Sequence, residues 1–385
     1  MKRFLILVLS FLLAACASTQ APPRADNLFN DQFFTPPSQR IDVADVFAVS
    51  SAMKNYLNSP DIARQIHTEG PQSGLFNALY IKSQLKLEYE STMTRNAAQT
   101  FDTRYGNCLS LVIMTAAFAR ELGLTVHFQQ VIMDASWTRN GDIYFASDHV
   151  NVSLAKKHNS IIETPYDQSR LMTIDFLPPE DITGQRLLDI DEATVIAMYM
   201  NNRAAETLAA GQVNDAYWWV REAIRQDPHF LSSYNTLGVI YRRHGNLAQA
   251  EQAFRQVLAL EPNNTVIIYN LVAVLHDQGR VAESEALATK LAQLEPEAPF
   301  HYFNLGMDAM RAGNYKLAKA LFIKELSRDP YYHEFQFWLG IACLHLGETD
   351  EATKHLSIAL KNSTTRHDHD LYAAKLDLLK ARQIH

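Results

Sequence analysis

The sequence predicts two folded units in tandem, an α+β domain followed by an all-α solenoid built of helix pairs. Three observations carry this. Glycines recur at Gly211, Gly245, Gly279, Gly313 and Gly347 and prolines at Pro228, Pro262, Pro296 and Pro330, each series at a spacing of 34 residues, the length of one supersecondary unit per period. Ahead of that region, apolar residues at helical spacing give way to runs that read as strands. With 385 residues, 47% of them hydrophobic, the chain can bury two cores.

The amino terminus comes first in chain order. Met1-Lys2-Arg3 is cationic, Phe4 to Leu13 is apolar but too short to span a bilayer, and Leu13-Ala14-Ala15-Cys16 ends the run with small residues before a cysteine. This resembles a bacterial lipoprotein signal. The resemblance implies removal of residues 1–15, acylation of Cys16, and a lipid-anchored protein of the cell envelope; Ala17 implies the outer membrane, facing the periplasm. Residues 16–40, with Pro22-Pro23 and Pro36-Pro37, read as the lipidated cysteine and a tether that stands the folded part off the membrane. Phe29, Phe33 and Phe34 are unusual in a solvated linker and point to docking on the folded protein.

Residues 41–190 are expected to form the α+β domain. Apolar spacing predicts helices over 43–57 and 75–92, a further helix from Cys108 to Leu122, and strands over 125–133, 143–154 and 171–176. Pro178-Pro179-Glu180 is expected to close the sheet, and Asp189 to Thr194 to lead straight into the first repeat helix. So short a junction predicts that the two units pack against each other.

Cys108 stands where Tyr105-Gly106-Asn107 opens the long apolar helix. A cysteine in a first helical turn meets unpaired N–H groups and the positive end of the helix dipole, which favour the thiolate that attacks carbonyls. His149 follows in Asp148-His149-Val150-Asn151-Val152, and Asp175 ends Leu171-Met172-Thr173-Ile174-Asp175. The order is nucleophile, base, orienting acid. His127, Asp134, Asp148 and Trp137 read as structural, turn or sheet-covering residues. Glu163, in the long segment between the His and Asp strands, competes with Asp175 for the third place.

Gly106-Asn107-Cys108-Leu109-Ser110 opening a helix, Ala119-Arg120-Glu121-Leu122-Gly123-Leu124, a strand at His149-Val150-Asn151-Val152 and a strand ending Ile174-Asp175-Phe176 together resemble the bacterial transglutaminase-like cysteine proteins of the papain-like superfamily. The resemblance covers roughly residues 80–180. It implies a papain-like/transglutaminase-like fold in which the Cys helix packs on an antiparallel sheet. By the same resemblance Cys108 is the nucleophile, His149 the general base and Asp175 the group that fixes the imidazole.

Residues 191–385 carry the repeats. In the second period Tyr234, Leu237, Gly238, Tyr241, Ala250, Phe254 and Pro262, and in the fourth Tyr302, Leu305, Gly306, Ala318, Phe322 and Pro330, fall where tetratricopeptide repeats place packing residues. The stretch resembles that family, with about five repeats over 197–364 and a capping helix through Tyr372 and Leu379. The resemblance implies a groove that takes a protein or peptide partner. Trp218, Trp219 and Trp338 read as core.

Composition narrows the function. The formal charge is −7, and there is no basic patch, zinc spacing or phosphate loop, which argues against nucleic acid, nucleotide and metal; no cofactor is implied. His367-Asp368-His369 reads as a solvated helix start. Of three cysteines, Cys16 is assigned to lipid and Cys343 to a repeat core, leaving no disulfide framework. The expected activity is that of an envelope cysteine peptidase or transpeptidase working through a thioester, with repeats that dock its partner. The alternatives are a non-catalytic adaptor for envelope protein assembly and a cell-wall amidase.

Overall fold

The computed structural model describes residues 25–81, 85, 87–91, 93–140, 143–156, 171–176, 186–297, 300–330, 332–363 and 365–383. Cys16 and the signal segment, Glu163 and Pro178-Pro179-Glu180 lie outside the described residues, as do the side chains of Asp134, Trp137 and Asp148.

Three short helices open the amino-terminal unit: α1 (Ser51–Leu57), α2 (Pro60–Glu69) and α3 (Pro71–Phe76). Ser50 caps α1 by accepting from the Met53 N–H, while Pro60 and Pro71 open α2 and α3, where a missing N–H costs nothing. The helix predicted over 75–92 does not form as such. It gives way to a π turn at Asn77–Ile81 and then to strand β1 (Glu88–Tyr89), which pairs in parallel with β2 (Tyr105–Gly106). Pairing with a later segment of the chain overrides the local helical spacing. Between the strands lies α4 (Ala97–Thr103), closed at its start by a capping box between Asn96 and Gln99.

Helix α5 (Cys108–Glu121) is the hub of this unit. Every residue from Leu109 to Ala119 is buried, as expected of a helix apolar on all sides and enclosed by its neighbours. It packs on a four-stranded antiparallel sheet of order β5-β4-β3-β6, formed by β3 (Leu124–Asn140), β4 (Ile143–Lys156), β5 (Met172–Ile174) and β6 (Arg186–Ile190). Strand β6 corrects the expectation of a bare linker at Asp189. It forms the sheet edge, with Gln129 opposite Asp189 and Gln129 Nε2 donating to the Asp189 carboxylate at 2.9 Å.

Five helix pairs follow: α6 (Glu192–Ala209) with α7 (Val213–Gln226), α8 (Leu231–His244) with α9 (Leu247–Leu260), α10 (Thr265–Asp277) with α11 (Val281–Leu294), α12 (His301–Arg311) with α13 (Tyr315–Leu326), and α14 (His333–His345) with α15 (Thr349–Lys361). Helix α16 (Arg366–Gln383) ends the array. Among the described residues, no helix is long and apolar enough to cross a membrane. Gly245 ends α8 at φ +89°, and the other glycines of the 34-residue series share that left-handed conformation. Gly238 serves a different need: a Cβ there would overlap the Phe254 ring, so its absence is what lets α8 and α9 approach. Tyr234, Leu237, Tyr241, Ala250 and Phe254 are all fully buried.

Two features depart from the sequence reading. Leu305, expected to pack, is 42% exposed, because buried contacts form one core from Leu28 to Leu275 and a separate one from Phe300 to Leu379. The repeat core is interrupted between α11 and α12. The expected tether also behaves differently, since its described part folds back onto the first two helix pairs. Phe34 stacks on Tyr217 with ring centroids 3.9 Å apart and planes 6° apart. The Tyr241 hydroxyl donates to the Leu28 carbonyl at 2.6 Å, and Trp218 Nε1 to the Thr35 carbonyl at 2.6 Å. Burial of Leu28 and Phe34, which a solvated linker would forgo, accounts for the docking.

Candidate functional site

Cys108 is the first residue of α5, with Asn107 as its N-cap: the Asn107 Oδ1 accepts from the Ser110 backbone N–H at 2.9 Å. Cys108, half-buried, therefore sits at the positive end of a fourteen-residue helix. His149 lies on β4 and is 5% exposed. Asp175 immediately follows β5, which pairs with β4 through Val152 and Ile174, so the sheet register carries the carboxylate toward the imidazole. His149 Nε2 and Asp175 Oδ1 are 2.7 Å apart, and the same ring lies near enough to the Cys108 side chain to interact with it electrostatically. The structure thus brings Cys108, His149 and Asp175 into one cluster, with the imidazole between sulfur and carboxylate.

The electrostatics follow from this placement. Burial works against a charge on the ring, but hydrogen bonds to Asp175 and Cys108, with the attraction of both, outweigh it and lift His149 to about 9. The shift favours the protonated ring at neutral pH. A raised pKa places the ring to hand on a proton beside the Cys108 side chain.

Several supporting residues had been given no role by the sequence. Asn151, 2% exposed, donates from Nδ2 to Asp175 Oδ2 at 3.3 Å and so orients the carboxylate. Tyr89 is set beside Gly106 by the β1–β2 pairing, which brings its phenol into electrostatic reach of Cys108. Thr94, fully buried, accepts from Asn107 Nδ2 at 2.8 Å. Only Asn151 had a sequence signal, its place two residues after His149. The others reach the site through pairings distant in the chain. His127 is exposed on β3, opposite Ser153. No group of histidine, cysteine and acidic side chains able to hold a metal occurs among the described residues, and His367 and His369 lie on α16.

The tetratricopeptide-repeat family matches residues 208–265, 241–305 and 303–366. The TPR repeat-containing protein YvcD of Bacillus subtilis (strain 168) is 26% identical over 175 residues, 45% of this chain and 35% of that protein, so the chain spans about a third of the length of this relative. Among solved structures, a thermophilic TPR protein of Thermus thermophilus is 17% identical with a TM-score of 0.29, covering 47% of this chain and 98% of that one. PilF of Pseudomonas aeruginosa is 20% identical with a TM-score of 0.29, covering 50% and 87%. The carboxyl-terminal half is an all-helical array of tetratricopeptide repeats.

The charge on His149 has a measurable consequence. Because the fold raises its pKa from 6.5 to about 9, the stability it contributes is fully present below 6.5 and is lost as pH rises through about 9. Urea melts of the wild type and His149→Gln across that window should show the stability gap narrowing as pH rises. A gap that widens or stays constant contradicts the assignment.

Proposed function

We propose that the chain is a partner-docking repeat protein whose amino-terminal unit carries a thiol acyl-transfer centre of the papain-like, transglutaminase-like kind. The observation that carries this is the His149 ring held between Cys108 and Asp175. Cys108 Sγ attacks an amide carbonyl, and the C–N bond breaks as the imidazolium passes its proton to the leaving amine. A thioester is left. The neutral ring then takes a proton from water or an incoming amine as the attacking oxygen or nitrogen bonds to the thioester carbonyl. The C–S bond breaks to return the Cys108 thiolate beside the imidazolium, giving hydrolysis or transfer. Backbone N–H groups at the start of the Cys108 helix hold the developing oxyanion.

The second reading is a non-catalytic adaptor, and the repeat matches favour it directly. Tetratricopeptide repeats generally bind protein or peptide partners. In that case the amino-terminal unit serves as a folded brace. The two readings share the docking role and differ only at the sulfur.

Localisation belongs to the same proposal: Cys16 is acylated and tethers the protein in the envelope, the outer membrane being the destination that Ala17 implies. The support is the Leu13-Ala14-Ala15-Cys16 sequence. Labelling with a radioactive fatty acid should mark the wild type and not Cys16→Ala, which should fractionate away from membranes; equal labelling rejects the anchor.

An activated ester separates enzyme from adaptor. Mixing the full chain with p-nitrophenyl acetate should release a burst of nitrophenol equal to the protein present, with the acyl group on Cys108. Cys108→Ala should abolish the burst, and Asp175→Asn should slow it by roughly 10²-fold or more, the range for a misoriented acid–base group. A burst of wild-type rate in His149→Ala, with partner binding intact, selects the adaptor.

A further inference from the structure

We propose that Glu206, on the first repeat helix, is a positioning residue for Cys108 that acts through Thr94 and Asn107; this rests on the thiol-centre reading above. Glu206 Oε1 accepts the Thr94 backbone N–H at 2.6 Å, and its Oε2 is held by Arg203 Nη1 at 2.8 Å. Arg203 is itself braced 5.5 Å over the Trp219 ring. The Thr94 hydroxyl accepts from Asn107 Nδ2 at 2.8 Å. Asn107 Oδ1 accepts from both the Ser110 N–H, at 2.9 Å, and the Ser110 hydroxyl, at 2.7 Å. Ser110 Oγ accepts the Arg95 N–H at 2.8 Å, closing the network beside Thr94.

An unbroken run of hydrogen bonds therefore joins the repeat array to the first turn of the Cys helix. Thr94, Ser110 and Asn107 are all buried, so water cannot replace a lost partner. The arrangement is directional. With its Nδ2 engaged, Asn107 can offer only Oδ1 to the helix, which fixes the turn that begins at the next residue, Cys108. Released from Thr94, the amide is free to swing, the first turn frays, and the sulfur loses its fixed relation to His149. Burial pushes the Glu206 carboxyl up, and the Thr94 and Arg203 contacts offset part of that rise. A charged acceptor holds the Thr94 N–H more firmly than a neutral one would. The docking array is, on this view, part of the wall that aims the nucleophile.

The test is the pH profile of Cys108 alkylation by iodoacetamide in the full chain, read by mass spectrometry of the Cys108 peptide. Thr94→Val keeps shape while removing the hydroxyl, and Glu206→Ala removes the acceptor. Both should lower the rate at mildly acidic pH by about tenfold while leaving the alkaline rate near that of the wild type. Glu206→Gln, which still accepts from Thr94, should restore most of the loss even though the Arg203 ion pair is gone. Wild-type profiles in Thr94→Val and Glu206→Ala, alongside a strong loss in His149→Ala, overturn the positioning role and leave the thiol centre standing. A Glu206→Gln profile as impaired as that of Glu206→Ala overturns it as well, since the ion pair would then be what matters. If His149→Ala is also unchanged, the thiol centre fails and this proposal with it.

Discussion

Helix α6 is buried on two sides at once, and the rest of the molecule depends on that. Val195, Ile196, Met198, Tyr199, Met200, Ala204 and Leu208 belong to the same continuous core as Leu111, Val112, Phe118 and Val152 of the amino-terminal unit, and as Tyr217, Tyr234 and Phe254 of the repeats. Polar contacts fix its orientation: Arg120 at the end of α5 pairs with Glu192 at its start, and Glu206 accepts from Thr94 further along. At about 25 cal/mol per Å² of apolar surface removed from water, a helix with this many enclosed side chains outweighs any single polar contact in the interface. The amino-terminal helices and sheet and the first repeats are thus continuous in packing.

The electrostatic design of the cysteine cluster follows from its place in that core. An imidazolium 5% exposed is unfavourable unless an opposite charge meets it, and Asp175 does so at 2.7 Å, with Cys108 adding to the attraction. Asn151 then holds the carboxylate, and the N-terminus of α5 faces the sulfur. Each element supplies one requirement: the helix a positive end, β4 the ring, the end of β5 the counter-charge. Removal of any one leaves a buried charge without its partner.

Much of this was legible in the sequence, and what was not has a common cause. The 34-residue series is local and repeated, so the five helix pairs and the packing of Tyr234, Phe254 and Gly238 could be read directly. Cys108 could be placed because an N-cap asparagine and a helix start are encoded within a few residues. His149 and Asp175 followed from chain order and strand context. Tyr89, Thr94 and Glu206 were invisible because their contacts join segments far apart in the chain, as with the 112 positions between Thr94 and Glu206. The same holds for the edge strand β6, read as a linker, and for the tether, whose Phe34 finds Tyr217 at the far side of the cysteine unit in sequence. Leu305 shows the converse: its residue type fits the repeat, but the core it should join is interrupted before Phe300.

The central claim is that the cysteine unit and the first repeats are one cooperative structure joined through α6. Native-state hydrogen exchange on the full chain at rising urea tests it most directly, because it reports the opening free energy of each segment separately. The account predicts that amides of α5 and of α6, α7 and α8 exchange through a single opening, with one free energy and one urea dependence. Protection that persists in α5 after α6 to α8 have exchanged completely would contradict it.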